Sequence, residues 1–317
     1  MADQGTENEP QRCGVVAVLG APNAGKSTFV NKMVGAKVSI VTHKVQTTRA
    51  RTRGVAMHGE TQIVYVDTPG IFQAKRNLDK AMVTAAWDAL AGSDVVLLIV
   101  DAPAYLATMN EEASPAAFRS AEDTDRVIAS LKQTGTKAVL VLNKIDRMPR
   151  PPLLRLVKVL NDEDIFTETF MISAKKARGT DDLQKWLISQ MPEGPHLYPE
   201  DQLSDINDRM MAAEITREKL FLRLHEELPY SLTVETDRWE RTGRGELRLE
   251  QTIYVDRDSQ KKLALGYKGR TIAAVGKSSR EEMQELFGET VHLFLYVKVR
   301  EGWADDKERL RNMGLEV

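Results

Sequence analysis

Near the start of the chain, Gly20-Ala21-Pro22-Asn23-Ala24-Gly25-Lys26-Ser27-Thr28 follows the pattern G-x-x-x-x-G-K-S. Glycines at that spacing let backbone N–H groups turn inward around a phosphate. The preceding residues, Gly14-Val15-Val16-Ala17-Val18-Leu19, form a short apolar run rich in β-branched types, and Phe29 to Val34 behind it contains no helix breaker. This reads as buried strand, loop and helix, with the helix adding the positive end of its dipole. Lys26 would reach the β- and γ-phosphates of a nucleotide, and the Ser27 hydroxyl would bind Mg2+.

Three further clusters follow apolar runs. Asp67-Thr68-Pro69-Gly70 comes after Ile63-Val64-Tyr65-Val66. A carboxylate there can share the Mg2+ with Ser27, and Gly70, lacking a Cβ, can offer its N–H to a γ-phosphate. Asn143-Lys144-Ile145-Asp146 follows the run ending at Leu142. Asp146 can accept two hydrogen bonds from the N1–H and 2-amino groups of guanine, a donor pair that adenine lacks. Ser173-Ala174-Lys175 follows Phe170-Met171-Ile172 and can complete a base pocket through its backbone. In this order the four motifs resemble the guanine-nucleotide site of the translation-factor class of GTPases. Within that class a threonine just before an arginine closes over Mg2+ in the triphosphate state. In Val38 to Arg49 that residue is Thr48, with Thr47 the second choice. Where many small GTPases place a water-orienting glutamine, this chain has Ile71, which can neither donate nor accept. Turnover should therefore be slow unless a rearrangement, a partner or a cation supplies a polar group; Asn23 is the residue placed to help hold K+.

The elements that must position these groups are legible in the pattern of apolar runs. Val15–Leu19, Ile63–Val66, Val95–Val100, Ala138–Leu142 and Phe170–Ile172 are separated by helical stretches. That alternation indicates a largely parallel sheet covered on both faces, with ligands bound beyond the carboxyl ends of its strands. Ala102 to Glu122 is rich in Ala and Glu without clear periodicity, and reads as a surface insertion with partial helix. At 317 residues the chain is long enough for two domains. Residues 1–11 are polar and acidic and read as a disordered tail. A nucleotide domain follows over 12–192, a Pro-rich linker over 193–202 and a second domain over 203–317. Cys13 is the only cysteine, which excludes an internal disulfide and fits a reducing compartment. The longest apolar run, Val95 to Val100, is too short to cross a bilayer.

The second half has a different rhythm. Asp205 to Glu227 reads as an amphipathic helix. Leu232 and Val234 open one strand, and Leu247, Leu249, Ile253 and Val255 mark another, joined at Thr242-Gly243-Arg244-Gly245. A helix from Ser259, the turn Gly266-Tyr267-Lys268-Gly269, a helix to Leu286 and a last alternating strand complete α-β-β-α-α-β, the order of a type II KH domain. Its G-x-x-G loop can lie against a single-stranded sugar-phosphate backbone. Arg257 to Arg280 holds Arg257, Lys261, Lys262, Lys268, Arg270, Lys277 and Arg280 against the single acid Asp258. From Asp201 to the end there are 20 basic and 23 acidic residues, so the cations form a local patch of the kind phosphate contact requires. The whole-chain net charge of −2 provides no general attraction to nucleic acid.

With both halves in view, the chain resembles the Era GTPases from Gly14 to Gly314. The residues that carry the resemblance are Gly20–Ser27, Gln46-Thr47-Thr48-Arg49, Asp67–Gly70, Asn143–Asp146, Glu227-Leu228-Pro229-Tyr230-Ser231, Gly266–Gly269 and Gly302-Trp303-Ala304-Asp305-Asp306. The resemblance implies an α/β P-loop GTPase domain followed by an α+β type II KH domain. It implies a switch that binds GTP or GDP with Mg2+, binds the 3′ end of 16S ribosomal RNA, and assists maturation of the small ribosomal subunit. Peripheral contact with the inner membrane is a family property, while DNA is not an expected partner. Lys26, Thr48 and Gly70 would then serve the reaction, and Ser27, Thr48 and Asp67 the metal. The nucleotide would be held by Gly20, Asn23, Ala24, Gly25, Lys26, Ser27, Thr28, Asp67, Asn143, Lys144, Asp146, Ser173, Ala174 and Lys175. RNA would meet Lys261, Lys262, Gly266, Tyr267, Lys268, Gly269, Arg270, Lys277 and Arg280. Two alternatives stay open at this point: an RNA chaperone in which nucleotide is structural, and a GTPase whose KH-like half binds protein.

Overall fold

The structure, a computed structural model, describes residues 10–44, 47–74, 77–224, 231–312 and 315. The chain divides into two compact units. One comprises Met1–Ser39, Arg51–Gln73 and Val83–Asp205; the other comprises Ile40–Ala50, Ala74–Met82 and Ile206–Val317.

A six-stranded sheet in the order β2-β3-β1-β4-β5-β6 forms the first unit. Its strands are β1 (Arg12–Leu19), β2 (Thr52–His58), β3 (Thr61–Asp67), β4 (Val95–Asp101), β5 (Ala138–Asn143) and β6 (Phe166–Met171). All neighbouring pairs are parallel except β2 with β3. Continuous burial of β3 and β5 along their whole lengths reflects helices on both faces. The five parallel strands bring their carboxyl ends to one edge, and there the four nucleotide motifs emerge.

Several expectations are corrected. β2 was not foreseen, and β6 ends at Met171 and begins at Phe166, four residues before the expected start. The stretch taken for a surface insertion forms two helices, α3 (Ala102–Met109) and α4 (Pro115–Thr134), that follow α1 (Lys26–Val34) and α2 (Asn77–Asp88). Asp101 and Ser114 cap them by accepting from Ala104 N at 3.2 Å and Ala117 N at 3.2 Å, and a proline sits in each first turn. Proline there forfeits only an N–H that has no partner inside the helix. Ala102, Leu106, Val127 and Leu131 are buried, so both helices contribute to the core. The helices α5 (Arg150–Asn161) and α6 (Thr180–Gln190) complete the layers. The Pro-rich segment is anchored on the sheet: Gln62 Oε1 accepts from Leu197 N and Tyr198 N, and Leu203 O accepts from Val55 N at 2.9 Å. Residues 1–9 of the expected tail lie outside the described residues; Gln11 O already accepts from Gly194 N.

The second unit contains α7 (Asp208–Arg223), β7 (Leu232–Arg241), β8 (Leu247–Val255), α8 (Asp258–Leu265), α9 (Arg270–Phe287), β9 (Val291–Val299) and α10 (Lys307–Asn312). β7 and β8 form an antiparallel hairpin, and β9 joins β8 in parallel, giving the order β7-β8-β9. α7 is shorter than expected: Asn207 caps its start by accepting from Met210 N, and it ends at Arg223. Residues 225–230 of the expected helix and of the resemblance motif lie outside the described residues. Val275, Ser279 and Met283 are buried along one stripe of α9, as a spacing of four requires.

Candidate functional site

At the carboxyl edge of the sheet the phosphate loop leaves β1 and enters α1. Gly25 has φ 104°, and a Cβ there would come within 2.3 Å of Asn143 Nδ2, so only glycine fits. Lys26 is 6% exposed, and its ammonium donates to Gly20 O at 3.1 Å and Ala21 O at 3.0 Å. Burial depresses its pKa to about 8, against the opposing charge of Asp67 and with a smaller push from Lys144. A phosphate entering the loop would restore the lost charge compensation.

Asp67 is fully buried at the end of β3, and Thr68 donates its hydroxyl to Val18 O at 2.7 Å, tying this motif to β1. A carboxylate and a hydroxyl are hard oxygen donors that suit Mg2+, which keeps several waters and phosphate oxygens in its shell. Gly70 lies against the phosphate loop: a Cβ would approach Pro22 Cα to 2.7 Å. Ile71 is 4% exposed and packs with Leu19, Ala86 and Leu98, while its N–H donates to Gly20 O.

The base pocket is assembled from three loops. Asn143 donates from Nδ2 to Ala24 O at 2.9 Å and accepts at Oδ1 from Ala174 N at 3.0 Å, linking the phosphate loop to the motif after β6. Ser173 donates to Asp146 Oδ1 at 2.6 Å, and this hydrogen bond lowers the Asp146 pKa, so the carboxylate is ionised when guanine arrives. Lys144 donates to Asn23 O at 2.6 Å and pairs with Asp101 at 2.5 Å. The sequence reading missed Asp101; its signal was an acid at the carboxyl end of a parallel strand. Thr28 lies half-buried in the first turn of α1, and Lys175 is exposed beside the pocket.

Thr48 falls in Ile40–Ala50, which packs within the second unit. On one side, Thr47 O accepts from Arg217; on the other, Arg49 is buried, donates to Leu232 O at 2.8 Å and lies 5.4 Å from the Trp303 ring and 6.0 Å from that of Phe221. Val41 N donates to Glu218 at 2.8 Å. Thr47 and Thr48 are thus held in place from both flanks by α7, the start of β7 and Trp303. The aromatic cage around Arg49 was not legible in advance, because its members are far apart in sequence.

In the same unit Gly266–Gly269 joins α8 to α9. Gly269 N donates to Gly266 O at 3.1 Å and Arg270 N to Tyr267 O, two successive backbone turns that leave Tyr267 and Lys268 exposed. Lys262, Lys268, Arg270, Lys277 and Arg280 are exposed and Lys261 is half-buried. The first turn of α9 contains no acid.

Comparison with known proteins agrees with both halves. Residues 15–144 match the family described as 50S ribosome-binding GTPase, and residues 227–304 match the KH domain. The chain is 55% identical over 311 residues to the GTPase Era of Brucella suis biovar 1, covering 98% of this chain and 96% of the relative. It is 51% identical over 305 residues to the GTPase Era of Caulobacter vibrioides, covering 96% of each. A crystal structure of Era with MgGDPNP and nucleotides 1506–1542 of 16S ribosomal RNA superposes with a TM-score of 0.86 at 34% identity, covering 97% of this chain and 100% of that one. A variant of Era from Aquifex aeolicus bound to GDP and AlF4− gives the same TM-score, identity and coverage.

Proposed function

Because this chain belongs to the Era family of GTPases, hydrolysing GTP to GDP and phosphate, we propose that its nucleotide cycle governs binding of the 3′ end of 16S ribosomal RNA. The binding surface is the Gly266–Gly269 loop with its surrounding cations, and the setting is assembly of the small ribosomal subunit in the cytoplasm. One observation carries this reading: a chain with a hydrogen-bonded phosphate loop and base-pocket motifs also presents a solvent-facing G-x-x-G turn ringed by cations. The relative crystallised with the same RNA region supports it. A purely structural nucleotide is disfavoured by the intact set of catalytic motifs, in which Lys26 would stabilise the charge that develops on a transferred phosphoryl group.

In the reaction, water attacks the γ-phosphate in line and the β–γ bridge oxygen leaves. Ser27 and Asp67, with Thr48 in the triphosphate state, would hold Mg2+, which would supply charge neutralisation. Lys26 would stabilise charge on the phosphates, the N–H of Gly70 would be offered to the γ-phosphate, and the loop N–H groups would fix the nucleotide. Asp146, Asn143 and Ala174 set the base. With Ile71 turned into the core, no side chain at that position orients the water. K+ held with the help of Asn23 is our assignment for the missing polarising group, and replacing K+ by Na+ should slow turnover. Loss of the γ-phosphate releases Thr48 and the segment after Gly70. Contact of the basic patch with an anionic membrane surface is a secondary assignment by the same charge logic.

The decisive experiment is equilibrium binding of an RNA matching the 3′ end of 16S ribosomal RNA to the full-length protein with GDPNP or GDP. Tighter, salt-sensitive binding with GDPNP supports the switch. Equal binding in both states would refute nucleotide control, and no binding would refute the RNA assignment.

A further inference from the structure

Within the G-x-x-G loop one residue is unlike a phosphate contact. Tyr267 is 70% exposed, an aromatic ring held in water at the tip of a turn whose backbone is otherwise closed by its own hydrogen bonds. Lys268 Nζ lies 5.5 Å from the ring centroid and Arg270 Cζ lies at the same distance. Among the described residues neither cation forms an ion pair. The ring therefore has two charged neighbours, is largely open to water and fills no core.

We propose that Tyr267 is a base-stacking platform: a nucleobase of the bound single strand lies on its ring while the adjoining phosphates meet Lys268 and Arg270. The proposal rests on the RNA reading above and adds a second kind of contact to it. Backbone clamping by a G-x-x-G loop needs no aromatic side chain. A planar π-face next to two unpaired cations matches a ligand that alternates planar bases with anionic phosphates, which is the chemistry of a single-stranded nucleic acid. An acidic peptide would use the cations and leave the ring unused. The turn itself is tightly built: Gly266 has φ 73°, and a Cβ there would lie 2.1 Å from Thr271 Oγ1, so glycine is required at the residue that precedes Tyr267. Stacking is tolerant of base identity, so Tyr267 would add affinity for any unpaired base at this step and exclude a paired one.

The test uses the full-length protein with GDPNP and a fluorescent single-stranded RNA matching the 16S 3′ end, titrated at several salt concentrations. Tyr267→Ala should weaken binding roughly tenfold, within the range for loss of one stacked base, and leave the slope of log affinity against log salt unchanged. Tyr267→Phe should bind like the unsubstituted protein. Lys268→Ala should instead flatten the slope by about 0.7, the share of one phosphate on a single strand. Full affinity in Tyr267→Ala, or a slope change like that of Lys268→Ala, would overturn the proposal while leaving RNA binding intact. Failure of the unsubstituted protein to bind would overturn the RNA reading and stacking together. Anionic vesicles serve as the control: loss of vesicle binding in Tyr267→Ala with unchanged RNA affinity would assign the ring to a membrane and refute stacking.

Discussion

Two glycine-bearing loops in this chain each open a helix toward phosphate, yet they are built in opposite ways. Around Gly20–Ser27, Lys26 donates to two loop carbonyls, Asn143 to Ala24 and Lys144 to Asn23, so side chains hold the shape of the cradle. Gly266–Gly269 is held by backbone turns, and its side chains stand in water. A buried cation acts in a low dielectric and is screened little, at the cost of desolvation; an exposed cation is weak singly and loses strength with salt. One loop is thus a rigid site for a single small anion. The other, on the proposed RNA reading, is a soft site that would gain affinity by number along a chain.

The largest effects should come from breaking the rigid loop. Lys26→Ala is expected to lower single-turnover GTP hydrolysis by about 10²–10³-fold, the usual loss when one preorganised donor to developing charge is removed. Gly25→Ala should prevent tight nucleotide binding altogether, since its Cβ would displace Asn143. Wild-type turnover in either variant would mean that this cradle is as pliable as the RNA loop. Next in size is the base pocket. Asp146→Asn should weaken GTP binding by roughly 10²-fold, as expected when charge-assisted hydrogen bonds are lost. It should gain affinity for xanthine nucleotides, measured by competition titration, and unchanged preference for GTP would remove Asp146 from the pocket.

Burial of Lys26 gives the comparison a pH signature. Its folded pKa of about 8 lies below the ordinary value of 10.5, so the free protein loses this proton as pH rises through about 8. Bound phosphate requires the charged form, and the GDP dissociation constant should therefore rise by up to about tenfold per pH unit above that point. Stability of the nucleotide-free protein runs the other way. Between about pH 8 and 10.5 the unfolded chain holds the proton and the fold does not, so stability increases with pH across that window. Calorimetric titration of GDP from pH 7 to 9.5 checks the first trend, and Lys26→Met should abolish it.

The difference between the loops also explains what could be read from sequence. The nucleotide motifs are local strings at strand ends, and the chemistry of each follows from residue type and place. The helices α3 and α4 were legible only as partial helix because 102–122 lacks clear apolar periodicity; the local signal left unused was Asp101 and Ser114 as caps that place Pro103 and Pro115 in first turns. β2 was hidden by Gly54, which interrupts its pattern because α1 packs closely: a Cβ there would lie 2.7 Å from Val34. Ile71 was correctly read as nonpolar, but only packing shows that it turns into the core beside Leu98. The cage of Arg49, Phe221 and Trp303 and the pairing of Asp101 with Lys144 join residues distant in sequence. A single sequence carries no record of such proximity.

The smallest effect sets the limit of the comparison. Gly269 has φ 75°, but a Cβ there would meet nothing within 4 Å, in contrast to the crowding around Gly25. Gly269→Ala should therefore cost only the strain of a left-handed alanine, about 1–2 kcal/mol, with no displaced neighbour. The expected result is a modest fall in melting temperature and unaltered GTP turnover, with any larger fall in RNA affinity assigned to the Cβ standing where the loop backbone would meet the strand. Thermal melting, GTP turnover and RNA titration of the one variant check these outcomes. A fall in melting temperature as large as that of Gly25→Ala would show that the backbone of this loop is constrained as tightly as the phosphate loop. The contrast between a rigid site for one ligand and a soft site for a chain would then fail.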